Sequence, residues 1–95
     1  MKVLTVCGMG FGTSLMLLMD IQEIGKRHGY DIQGEAVDLG SAKGKVCDFM
    51  VASSEIVSEL SDESVEIVSI NNILDKEEIE SKVMPVVERL AKGAR

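Results

Sequence analysis

Ninety-five residues make one domain, since a chain this short cannot divide into two independent cores. Hydrophobic residues are 45% and charged residues 27%, an ordinary globular balance, but aromatics are only 3%, so the core must be aliphatic. A net charge of −6 opposes binding to nucleic acid or to an anionic membrane, and so few aromatics provide no stacking platform for a single strand.

Lys2 to Val6 reads as a buried strand. Cys7 follows it and opens the loop Gly8-Met9-Gly10-Phe11-Gly12-Thr13-Ser14. From Ser14 to about His28 the spacing predicts a helix, with Leu17, Leu18, Ile21, Ile24, Gly25 and His28 on one stripe and Gly29 as its stop. Asp31 to Asp38 reads as a second strand, and Leu39 to Lys45 as a polar loop with room for one short helical turn. Val46 to Ala52 reads as a third strand. Ser53 or Ser54 then caps a short helix to about Leu60. Ser61-Asp62-Glu63 is a turn, and Val65 to Ile70 is a fourth strand rich in β-branched residues. Asn71-Asn72 closes it. Asp75 starts the last helix, with Glu78 completing a capping box. Ile79, Val83, Val86, Val87 and Leu90 form its buried stripe, and Pro85 should kink or split it.

Strands that alternate with helices imply a parallel sheet covered on both faces. Right-handed crossovers then favour an α/β three-layer sandwich around a four-stranded sheet in the order 2-1-3-4, flavodoxin-like or cysteine-phosphatase-like. Ligands bind such sheets at the carboxyl ends of the strands where the order reverses, here between strands 1 and 3. Cys7 sits there, with Ser53-Ser54 and Asn71-Asn72 on the same edge. No apolar run approaches the roughly 18 residues of a membrane span. No secretory signal is visible, and Cys7 and Cys47 with a single His match no zinc spacing. A cytoplasmic domain without metal or cofactor is the expectation.

The loop after Cys7 carries the chemistry. Alternate glycines let several backbone N–H groups converge, and a helix start adds unpaired donors and partial positive charge. That setting stabilises a thiolate, the reactive form of cysteine, and holds an attached phosphoryl group. A Walker loop is excluded, because no Lys stands between Gly12 and Thr13. The dinucleotide fingerprint is one residue short: the spacing is Gly8-x-Gly10-x-Gly12, and Asp38 as a ribose acid is weak support. A cysteine phosphatase loop has an arginine where Thr13 stands, followed by the hydroxyl that Ser14 supplies. Without that guanidinium to clamp the transferring group, the loop binds phosphate yet hydrolyses it poorly.

Cys7-Gly8-Met9-Gly10-Phe11-Gly12-Thr13-Ser14 resembles the phosphorylation loop of enzyme IIB components of the bacterial phosphoenolpyruvate-dependent sugar phosphotransferase system. The form is most similar to the ascorbate-type branch. Ala52-Ser53-Ser54-Glu55-Ile56 and Ile70-Asn71-Asn72-Ile73-Leu74 resemble that branch more than the cellobiose and galactitol ones. The resemblance covers nearly the whole chain and implies a single IIB domain over 1–95. It implies that Cys7 takes a phosphoryl group from a phosphohistidine of IIA and passes it to a sugar-like substrate, ascorbate or a relative, held by membrane IIC. Gly8, Met9, Gly10, Phe11, Gly12, Thr13 and Ser14 would cradle the phosphate. The implied place of action is the cytoplasm, with recruitment to the membrane by IIC.

Rival functions are a small cysteine phosphatase, a phosphate-sensing regulatory module and, more remotely, a nucleotide binder. Cys47 reads as an inert core thiol opening the third strand. His28 lies about 20 Å along the helix from Cys7, too far for a relay, and reads as a residue facing the helix dipole. Ser53, Ser54, Asn71 and Asn72 read as caps before phosphate ligands. Met9, Phe11, Met16 and Met19 have two uses open: a docking patch around Cys7, or cover for the helix–sheet edge.

Overall fold

The computed structural model describes residues 1–6, 11–42, 44–60 and 65–93, the side chains of residues 11–13 excepted. The chain runs β1 (Lys2–Val6), α1 (Phe11–Arg27), β2 (Gln33–Val37), α2 (Leu39–Ala42), β3 (Phe49–Ser53), a 3-10 turn (Val57–Leu60), β4 (Glu66–Ile70) and α3 (Lys76–Ala91). The four strands form one parallel sheet in the expected order β2-β1-β3-β4. Among the described residues no helix is long and apolar enough to cross a membrane.

Strand side chains alternate between two faces. On one face Val3, Phe49, Val51, Val68 and Ile70 meet Leu17, Leu18, Ile21 and Ile24 of α1 and Ile79, Val83, Met84, Val86 and Val87 of α3. On the other, Leu4, Val6, Val37, Met50 and Ala52 meet, among the described residues, Ala42, Ile56, Leu60 and their neighbours. Two full helices cover the first face, while one turn of helix and the 3-10 turn cover the second. Full burial of a Val, Leu, Ile, Phe or Met side chain in these clusters contributes about 1.5–3 kcal/mol.

Helix α1 ends in a Schellman motif. Tyr30 N–H donates to Gly25 C=O at 2.8 Å and Gly29 N–H to Lys26 C=O at 3.1 Å. Gly29 takes φ +86°, which only glycine adopts freely, and this confirms it as the stop. Helix α1 then lies close on the sheet at Gly34. A Cβ there would stand 2.5 Å from the Val3 carbonyl oxygen and 2.7 Å from Leu18 Cδ1.

Several boundaries differ from the sequence expectation. Helix α1 starts at Phe11, three residues before Ser14, because first-turn N–H groups need no helical partner and Gly12 costs little there. Strand β2 starts at Gln33, two residues after Asp31, and ends at Val37. Strand β3 starts at Phe49: Val46 is 85% exposed, and Asp48 ties off the strand start by accepting Lys2 N–H at 2.7 Å. The segment after Ser53 forms a turn and then the 3-10 turn, short of an α-helix. Pro85 neither splits α3 nor ends it. The helix runs unbroken from Lys76 to Ala91 with Pro85 on its exposed side. The turn expected at Ser61-Asp62-Glu63 lies outside the described residues.

Candidate functional site

In parallel pairing all strands end on one edge. Val6, the last residue of β1, stands level with Val37 of β2 and Ala52 of β3, and Ala52 stands level with Ser69 of β4. This is the reversal point of the sheet, where chain leaves β1 for α1 and where such folds bind ligands. Cys7, Gly8, Met9 and Gly10 lie outside the described residues. Phe11, Gly12, Thr13 and Ser14 form the first turn of α1.

That turn is tied to the strand. Thr5 and Ser14 are both fully buried, and the Thr5 hydroxyl donates to the Ser14 carbonyl at 2.8 Å. The bond joins β1 to α1 across the candidate loop. Thr5 went unremarked in the sequence, and its signal was plain: one hydroxyl in an otherwise apolar buried strand.

The first turn of α1 contains no acidic residue, and its last turn holds Lys26 and Arg27. Its amino end therefore keeps the partial positive charge of a helix start. The neighbouring β4–α3 junction is built the other way. Asp75 caps α3, accepting Glu77 N–H at 3.1 Å and Glu78 N–H at 3.3 Å. Glu78 does not return to the Asp75 N–H as a capping box would. Its carboxylate accepts Asn71 N–H at 2.7 Å, Asn72 N–H at 2.9 Å and Lys82 Nζ at 2.6 Å. The Lys82 hydrogen bond, then the two backbone donors, hold the Glu78 carboxyl down to about 2 from an ordinary 4.5. Lys82 also donates to the Ser69 carbonyl at 3.1 Å.

Matching this chain to known proteins brings in the family. Residues 2–84 match the model for the PTS system, Lactose/Cellobiose specific IIB subunit. The chain belongs to this family. An ascorbate-specific PTS system EIIB component of Mycoplasma pneumoniae is 29% identical over 90 residues, 92% of this chain and 95% of its own. Two solved structures share the fold. The lactose-specific IIB domain of the Streptococcus pneumoniae system superposes with a TM-score of 0.61 at 17% identity, covering 97% of this chain and 95% of its own. The enzyme IIB subunit from Escherichia coli K12 superposes with a TM-score of 0.56 at 14% identity, covering 99% and 95%. The resemblance carried by the loop and by the segments after β3 and β4 is thus a family membership.

Other residues of this IIB chain resolve as follows. Asn72 acts as a turn former: its Oδ1 accepts Leu74 N–H at 3.0 Å. Ser54 N–H donates to Ile70 C=O at 2.9 Å, and Ser53 C=O accepts Ile56 N–H at 3.1 Å. Met16 and Met19 are exposed, at 55% and 59%, and Leu15 is exposed beside them, so these side chains do not seal the helix–sheet edge. Met9 and the Phe11 side chain lie outside the described residues. Cys47 is half-buried and precedes β3, packing against the second-face cluster, a correction to its place as a strand-opening core thiol. It stands at the amino edge of β3, opposite the edge where β1 ends. His28 lies one residue beyond α1, and its ring pairs with Glu80 of α3 at 2.5 Å, so its partner is a carboxylate on another helix. That hydrogen bond holds the Glu80 carboxyl below its usual range. A groove of about 560 Å³ lined by Gln22, Lys26 and Tyr30 opens at the amino edge, away from the site. Among the described residues no cluster of His, Cys, Asp and Glu is placed to hold a metal ion.

Proposed function

We propose that this IIB chain is a single-domain cytoplasmic phosphocarrier with Cys7 as its phosphoryl acceptor. The observation that carries the reading is the α1 amino end. It starts four residues after Cys7, at the reversal point of the sheet, with no acid of its own in the first turn. The backbone N–H groups of that turn and of the loop Gly8 to Gly10 offer donors for phosphoryl oxygens, with the Thr13 and Ser14 hydroxyls as further donors.

The chemistry follows from those donors. The Cys7 thiolate attacks phosphorus in line, an S–P bond forms, and the N–P bond to a histidine of IIA breaks. The released imidazole keeps the electron pair and takes a proton from water. The loop neutralises the equatorial oxygens as charge shifts. In a second in-line transfer a hydroxyl of a substrate held by IIC, which recruits the carrier to the membrane, attacks the phosphorus. An O–P bond forms, the S–P bond breaks with its electron pair returning to the Cys7 thiolate, and the hydroxyl proton passes to water. Position 13 is Thr and not Arg, which leaves hydrolysis slow and the phosphocysteine available for transfer. L-Ascorbate or a close relative is the substrate favoured by the loop form and by the Mycoplasma relative. The exposed Leu15, Met16 and Met19 flank the site and provide an adaptable apolar surface for IIA and IIC in turn.

The test is intact mass after incubation with phosphoenolpyruvate, the general phosphotransferase proteins and an ascorbate-type IIA. Wild type and Cys47→Ser should each gain one phosphoryl group of about 80 Da, and Cys7→Ser none. Equal loss in two well-folded cysteine variants would sink the assignment.

A further inference from the structure

We propose that Thr5 is a positioning residue: its hydroxyl fixes the first turn of α1 against β1 and so sets where that turn's N–H groups point relative to Cys7. The inference rests on the phosphocarrier reading of Cys7 and adds the part of the fold that keeps its loop in register.

Three observations support it. First, the bond is buried. Thr5 and Ser14 are inaccessible, so no water can replace the hydroxyl if it is removed. Second, the bond spans the site. Thr5 lies two residues before Cys7, and Ser14 belongs to the turn that follows the loop, so the contact closes a ring containing the loop. Third, the close approach it needs is built in. Thr5 pairs with Ala36 and Val3 with Gly34 on the neighbouring strand. Those small residues let α1 settle on the sheet, with Leu18 against Gly34 one helical turn beyond Ser14. A short β-branched side chain can then reach the helix backbone. A purely apolar contact at position 5 would fill the same volume without fixing the height or rotation of the helix start. Hydrogen bonds are directional and dispersion is not. The first N–H groups of a helix have no partner within the helix itself, so a small shift of the turn that Thr5 holds re-aims whichever donors it offers to a phosphoryl group on Cys7.

The experiment compares Thr5→Val, which keeps shape and removes the donor, with Thr5→Ser, which keeps the donor. Alkylation of Cys7 is followed against pH by peptide-resolved mass spectrometry, which separates it from Cys47. Phosphoryl uptake from IIA is timed in the same proteins. In Thr5→Val the alkylation midpoint should move up by half a pH unit or more, so that the rate below the midpoint falls at least about threefold. Phosphoryl uptake should slow with it, and Thr5→Ser should match wild type in both. Thr5→Ala carries the comparison if Thr5→Val does not fold. A folded donor-less variant with an unshifted profile overturns the inference, as does a Thr5→Ser as impaired as Thr5→Val. A wild-type chain that takes no phosphoryl group overturns the phosphocarrier reading itself, and this inference with it.

Discussion

The β1–α1 and β4–α3 junctions occupy equivalent places on the carboxyl edge and are built with opposite charge logic. At β4–α3 the chain supplies its own anions. Asp75 caps the helix, Glu77 and Glu78 fill its first turn, and the Glu78 carboxylate collects two backbone N–H groups and Lys82. At β1–α1 the first turn reads Phe-Gly-Thr-Ser, with no carboxylate. One helix start is neutralised internally; the other has no carboxylate in its first turn, and in the proposed phosphocarrier reading it meets the charge that Cys7 receives. A helix amino end signals an anion site when the protein has declined to fill it with its own side chains.

That contrast can be broken by filling the open junction. Thr13→Asp places a carboxylate in the first turn of α1, as Glu77 and Glu78 stand in α3. Phosphoryl uptake at Cys7 should fall by about 100-fold or more, read as the initial rate of mass gain, while the thermal midpoint holds or rises. Emptying the closed junction should instead cost stability and leave chemistry largely alone. Asp75→Ala removes a cap and should destabilise by about 1 kcal/mol in urea unfolding. Glu78→Gln sharpens the comparison through pH. The folded Glu78 carboxyl sits near 2, below its ordinary 4.5, so its contribution is fully present above 4.5 and is lost as pH falls toward 2. Wild type should therefore be more stable than Glu78→Gln at pH 7. The gap should narrow below pH 4.5 and close near pH 2. A gap that does not change with pH would show that the charge of Glu78 is not what holds Asn71 and Asn72.

Much of the fold was legible because periodicity records which face is buried. The stripe Leu17, Leu18, Ile21, Ile24 of α1 and the β-branched run of β4 both lie where the pattern put them. Local composition was a poorer guide at the ends of elements. Gly12 reads as loop by propensity, yet the first turn of a helix tolerates glycine, so α1 starts at Phe11. Val46 and Cys47 read as strand, but pairing of β3 with β1 begins at Phe49, opposite Val3. Pro85 reads as a kink or a split, and the split does not occur: it sits on the exposed side of an unbroken helix whose other face is held by Val83, Val86 and Val87.

The candidate site is written in the sequence to the extent that it depends on neighbouring residues. Cys7, the glycines and the helix start are consecutive. The ties that hold the edge are not. Thr5 reaches nine residues to Ser14, Glu78 reaches back to Asn71 and Asn72, and Lys82 reaches thirteen to Ser69. A capping-box pattern located Glu78 correctly and assigned it the wrong partner, because the acceptor of a long side chain is chosen by tertiary packing. Such contacts leave only a polar residue at a buried or helix-start position as their trace.

The measurement that tests the central claim most directly is a residue-resolved amide spectrum of the chain before and after phosphorylation by IIA. If the arriving charge is taken up by the open helix start, the large shifts will fall on residues 8–14, with Asn71, Asn72, Glu77 and Glu78 nearly still. Shifts as large at the β4–α3 junction, or a phosphorylated chain whose residues 8–14 do not respond, would contradict the account.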